Sequence, residues 1–190
     1  MTGREEEMKN LDYDKSDRRL GWTLLGLILL WVVSGCGYHF VGGEDNIDPR
    51  IQKVFVDTFA NRTSQAGLES LFRNAFIDQV LRSSRFQLAG RREEADAIIR
   101  GSIQRLNTTH LSYQTTDLAA EERVTVVMEV TLEERVSKKI LWQNQNFSYY
   151  GDYPVASGSL TATETGRQSA IAKLAGDAAE RAYSLMLSGF

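Results

Sequence analysis

Three side chains limit the chemistry open to this chain. Cys36 is the only cysteine among 190 residues, and His39 and His110 are the only histidines. A nucleophilic thiol needs a base within hydrogen-bond reach, and neither histidine lies in a pattern that supplies one. Asp57, Asp96 and Asp117 are scattered. There is no GxSxG, no HExxH, no phosphate-cradling glycine loop and no cluster of metal ligands. These absences predict no catalytic residue, no metal site and no cofactor. The expectation is a protein that is not an enzyme.

What Cys36 does have is a context. Arg18 and Arg19 precede Leu20–Val33, about 14 mostly apolar residues. That length suits the apolar core of a secretory signal and falls short of the roughly 20 residues that cross a bilayer. Val33-Ser34-Gly35-Cys36 then resembles the lipobox of bacterial lipoproteins. In that motif the thiol takes a diacylglycerol, the signal is cut before the cysteine, and the new amine is acylated. A buried structural thiol and an uncut signal anchor are the alternatives. Gly37 stands where an aspartate tends to retain enteric lipoproteins in the inner membrane, so the resemblance implies the outer membrane.

The elements around this motif divide the chain in three. Residues 1–35 read as an N-terminal extension and lipoprotein signal, 36–52 as a lipidated tether, and 53–190 as a single α+β domain. Residues 1–17 are polar and carry too little apolar surface to fold alone, and Met8 is an alternative start. The whole chain holds 22 basic and 25 acidic residues. Five of the basic and six of the acidic residues lie in 1–35, leaving about −2 on the mature part, which argues against a nucleic-acid partner.

Within 53–190, Lys53–Phe59 is a β-rich apolar run. Leu68, Leu71, Phe72, Ala75, Phe76 and Val80 recur at helical spacing toward Ser83, with Leu81 off the stripe. Asn61–Ser64 offers side chains for capping that helix. Phe86–Ala89 predicts a brief strand and Arg91–Glu94 a charged turn. Ala97–Leu106 predicts a strand with Ile99, Gly101 and Ile103 on one face and a bulge near Arg105. Thr108–Arg123 reads as a ragged hairpin end. Val124–Arg135 alternates apolar and polar, so one face is packed and one is wet. Ser137-Lys138 marks a tight reversal, Lys139–Tyr150 the returning strand, and Gly151–Gly158 a loop. Thr161 with Glu164 matches a capping box. The helix behind it stripes Ile171, Leu174, Ala175, Ala178, Ala182, Leu185 and Met186.

This order predicts a two-layer sandwich, with two helices packed on one face of a mixed four- to five-stranded sheet. Its core is expected from Val54, Val56, Ile99, Ile103, Val126, Met128, Val130 and Ile140, covered by Leu71, Phe72, Leu174 and Ala178.

Several local patterns resemble one family in the same order. Cys36-Gly37-Tyr38-His39-Phe40 is similar to the mature start of the LPS-assembly lipoprotein (LptE) family. Phe59-Ala60-Asn61-Arg62-Thr63 with Gly67-Leu68-Glu69 resembles its first strand-to-helix junction. Ala95-Asp96-Ala97-Ile98-Ile99-Arg100-Gly101 resembles the entry to its central strand, and Trp142-Gln143-Asn144 with Phe147 its last strand. The resemblance spans roughly residues 36–187. It implies a lipid-anchored protein on the periplasmic side of the outer membrane that plugs an LptD-type β-barrel and assists lipopolysaccharide assembly there. A lipoprotein accessory of another envelope transport or secretion machine is the alternative, and a lipid-anchored hydrolase would need a convergent pocket. Because lipopolysaccharide carries phosphates, Arg135, Lys138 and Lys139 at the hairpin turn are the expected ligand contacts. The bland reading of these cations is a solvated turn that protects a sheet edge.

Overall fold

The computed structural model describes residues 46–111, 120–155 and 159–189. Cys36, His39, Asp117 and the signal segment lie outside the described residues. The elements run β1 (Lys53–Val56), β2 (Ala60–Asn61), α1 (Leu68–Arg82), β3 (Gln87–Leu88), a 3-10 turn (Arg92–Glu94), β4 (Ala97–His110), β5 (Ala120–Glu134), β6 (Ile140–Val155) and α2 (Leu160–Ser188). The sheet has six strands in the order β3-β1-β4-β5-β6, with β2 also on β4. β1 pairs parallel with β3 and β4, and β4-β5-β6 are antiparallel hairpins. Both helices bury their stripes against one face, so the α+β sandwich is as expected, with a sixth short strand added.

The extra strand arises because the Lys53–Phe59 run does not stay straight. It leaves the ladder after Val56 and re-pairs at Ala60–Asn61, opposite Ser102 and Ile103. Between the two pieces Phe59, 2% exposed, turns its ring onto Gly101. A Cβ at Gly101 would stand 2.0 Å from the Phe59 Cε1 atom. Phe76 and Phe72 hold the ring from the helix side at centroid distances of 5.0 and 6.4 Å. Gly101 is thus a place of close approach, made by an aromatic ring.

The clearest sequence pattern gives the clearest strand. Val124, Val126, Met128, Val130 and Leu132 on β5 are fully buried. β4 carries its bulge between Ile103 and Arg105, as its broken period predicts. Ile103 is fully buried, so cutting it to Ala is expected to cost about 2–5 kcal/mol in a urea unfolding series. A loss below about 0.5 kcal/mol would place Ile103 on the wet face.

Four expectations need correction. Ile140 is 51% exposed: a register shift between Leu132 and Glu133 sets Ile140 opposite Glu133 on the outward face, and Trp142 takes the core position opposite Leu132. β6 runs on through Gly151–Val155, which read as loop. Pro154 fits there because β6 is an edge strand and its missing donor costs no second ladder. α1 is capped at Gly67, in the left-handed region at φ 86°, without a side-chain bond. Asn61 and Thr63 instead organise the approach: the Asn61 amide donates to the Gln65 carbonyl (2.8 Å) and Glu69 (2.9 Å) and its oxygen accepts from Thr63. α2 is capped two residues before the expected Thr161, where Ser159 Oγ accepts the Ala162 N–H at 3.2 Å. Glu164 pairs with Arg167 at 3.1 Å.

The alanines of α2 do what their size allows. Ala175, Ala178, Ala179 and Ala182 are fully buried, so a 29-residue helix lies close along the sheet.

Candidate functional site

The described surface offers no convergent catalytic set. Asp57 is paired with Arg92 (2.6 Å) and Arg100 (3.6 Å). His110 Nδ1 lies 2.9 Å from Glu122, which also accepts a hydrogen bond from the Tyr153 hydroxyl. Burial and that carboxylate push the Tyr153 phenol up to about 12, so it stays a donor at neutral pH. Among the described residues no group of three His, Cys, Asp or Glu side chains is placed to hold a metal ion. Among them, too, no helix is long and apolar enough to cross a membrane.

Polar groups gather instead on the sheet face that the helices leave uncovered. Arg100, Ser102, Glu129, Thr131, Glu133, Ile140 and Gln143 line an open depression of about 320 Å³. Arg100 donates to Glu133 at 2.7 Å and Gln143 to Glu129 at 2.7 Å. The alternation of β5 puts these carboxylates there, since every second residue points away from the core.

The hairpin turn brings Arg135, Lys138 and Lys139 to one end of the sheet but gives them different partners. Arg135 Nε donates to the Ala95 carbonyl at 2.6 Å, and its N–H to the Asp96 carbonyl at 2.8 Å. Lys138 adopts a left-handed φ of 62° and its ammonium lies 3.6 Å from Glu133. Lys139 is exposed. Asp96 in turn accepts the N–H groups of Lys53 (2.8 Å) and Gln52 (2.9 Å), and these bonds hold its carboxyl below the usual range.

A residue with no marker in the sequence completes this end. Arg85 donates to the carbonyls of Ile51 (2.7 Å), Ile47 (3.2 Å) and Asp48 (3.3 Å), with its guanidinium over the Phe86 ring. Asn46 adds two bonds to the C-terminal end of α2, to Leu187 and Ser188. Residues 46–51 are thereby strapped down, with Ile47 and Ile51 buried. Arg85 escaped sequence reading because each carbonyl its guanidinium bonds lies more than 30 positions away.

The described residues thus form a two-layer α+β domain with an ion-paired outer face and a clamped N-terminal strap. The family model for LptE, described as lipopolysaccharide-assembly, matches residues 51–186, and the chain belongs to that family. Membership places it among the lipopolysaccharide-assembly lipoproteins. No curated protein sequence matches the chain. Among solved structures, protein XCC0632 from Xanthomonas campestris aligns with a TM-score of 0.50 at 8% identity, covering 73% of this chain and 85% of its own. The rare lipoprotein B from Shewanella oneidensis aligns at 0.48 with 16% identity, covering 73% and 96%. A minor lipoprotein from Acinetobacter baumannii aligns at 0.45 with 10% identity, covering 73% and 92%. At such identities the first of these speaks for the fold alone.

Proposed function

We propose that this chain is an outer-membrane lipoprotein, anchored through acyl chains on Cys36, that seats in an LptD-type β-barrel and assists lipopolysaccharide assembly without catalysing a reaction. The observation that carries this reading is the family match over residues 51–186, nearly the whole of the folded part. The uncovered sheet face supports it: large barrels have polar interiors, and a face of paired Arg, Glu and Gln side chains suits such a wall. In this reading residues 1–35 are removed, and residues 37–45 link the anchor to the domain, which the strap at 46–51 already joins. Arg135, Lys138 and Lys139 are the proposed contacts for lipopolysaccharide phosphates, which guanidinium and ammonium groups both match.

The test is cross-linking in cells from photo-reactive residues at Gln143 and Gln145, both exposed on β6. A covalent product with a large β-barrel protein is the expected result. Recovery of free monomer alone, from these and further surface positions, would refute the seating.

A further inference from the structure

The tip between β5 and β6 carries side chains that the core does not use. Val136 is 75% exposed and Ile140 51%. Between them stand Lys138, with its side chain 63% exposed, and exposed Lys139. The carboxylates beneath are recessed: the Glu133 side chain is 12% exposed, and Glu134 and Asp96 are half-buried. Edge protection accounts for the lysines but not for a valine held out in water at the apex. An apolar apex beside cations is the composition of a segment that lies in a membrane interface. Its apolar groups enter the headgroup–acyl boundary while the ammonium groups stay with the phosphates.

A second observation concerns where the chain enters the domain. The strap that begins at Asn46 is joined to this tip through one residue. Gln52 and Lys53 donate to the Asp96 carboxylate, and the Asp96 carbonyl accepts the Arg135 N–H. Arg50 on the strap, its side chain 87% exposed, also lies at this end, with its charge balanced by Asp48 at 2.6 Å. Nine residues separate Cys36 from Asn46. Fully extended, that connection reaches about 35 Å at most.

We infer that the Arg135–Ile140 tip is a bilayer-docking element. Val136 and Ile140 enter the interface of a phospholipid membrane, and Lys138 and Lys139 meet its phosphates. The nearness of that membrane rests on the lipidated Cys36 of the reading above; the tip's own chemistry does not.

The test uses the full chain as purified from membranes, reconstituted in vesicles of phosphatidylethanolamine and phosphatidylglycerol. A photo-reactive residue replaces Val136 in one sample and Leu160 in another. Leu160 is a fair control, since it is apolar, 92% exposed and at the start of α2, about 40 Å along the helix from the strapped end. Phospholipid adducts, read by intact mass, are expected from position 136 and several-fold fewer from 160. A cation near an anionic surface contributes about fivefold, so Lys138→Glu with Lys139→Glu should lower the adduct by about 25-fold or more. Equal yields at the two positions overturn the docking, as does a product with a second protein chain only. The same spectra report the mass on Cys36. Lipid on Cys36 without an adduct at 136 overturns the docking alone. No lipid on Cys36 overturns the anchor, and the adduct at 136 then decides the docking by itself.

Discussion

Gly101→Ala is expected to destabilise the domain by about 3 kcal/mol, at the upper end of ordinary overpacking costs. The direction is what makes the measurement decisive. In an unobstructed strand, replacing Gly with Ala stabilises by about 0.5–1 kcal/mol, because Gly loses more backbone freedom on folding. Here the new methyl would meet Phe59 carbons at 2.0, 2.2 and 2.6 Å. The ring cannot retreat easily, since Phe72 and Phe76 stand behind it and are themselves fully buried. Trimming the ring should therefore help the variant while harming the wild type. Phe59→Leu in the Gly101→Ala background is expected to recover part of the loss, a coupling typical of residues in contact. Urea midpoints at unchanged slope are the measurement. If Gly101→Ala is neutral or stabilising, the ring has room elsewhere and the close approach does not constrain the fold.

Cys36→Ala is expected to abolish acylation and leave an uncut form still carrying residues 1–35. A single acyl chain holds a protein to a bilayer marginally, whereas two or more hold it stably. The exposed tip alone is too small to replace them. Detergent phase partitioning should thus move the variant out of the lipoprotein fraction, and intact mass should show the precursor. The apolar run of Leu20–Val33 is short for a span, so weak residual membrane association would not mimic the wild type. A Cys36→Ala protein with wild-type size and wild-type partitioning would remove lipidation from the account.

How much of this could be read in advance depended on whether the deciding contact was local. β5 is legible because its buried positions alternate with polar ones, Val127 excepted, and the α1 stripe ends in buried Phe72, Phe76 and Val80. The bulge in β4 was legible as a broken period. Ile140 was not: its hydrophobicity argues for the core, and only the register shift against β5 turns it outward. Pro154 read as a loop residue because the sequence does not declare which strand will be an edge. The cap of α1 was misplaced because Asn61 has the chemistry for that task and spends it on Gln65, Glu69 and Thr63. The basic turn was placed correctly, but the commitment of Arg135 to Ala95 needed the fold. The helix strap is the extreme case, since Asn46 and Ser188 are 142 positions apart.

That strap also decides how the domain would bear a load. A pull delivered through residues 37–45 arrives at Asn46, whose two bonds go to the last turn of α2. Beyond Asn46 the chain runs under Arg85, whose one guanidinium grips the carbonyls of Ile47, Asp48 and Ile51. Peeling would therefore have to break Asn46 first, then Arg85, then the Asp96 bonds to Gln52 and Lys53, before β1 left the sheet. Gly189 helps set the first of these, because any side chain there would collide with Asn46. Tension arriving through residues 37–45 would thus be spread over a graded series of joints near Asn46 and the end of α2, and the sheet would be the last part to feel it.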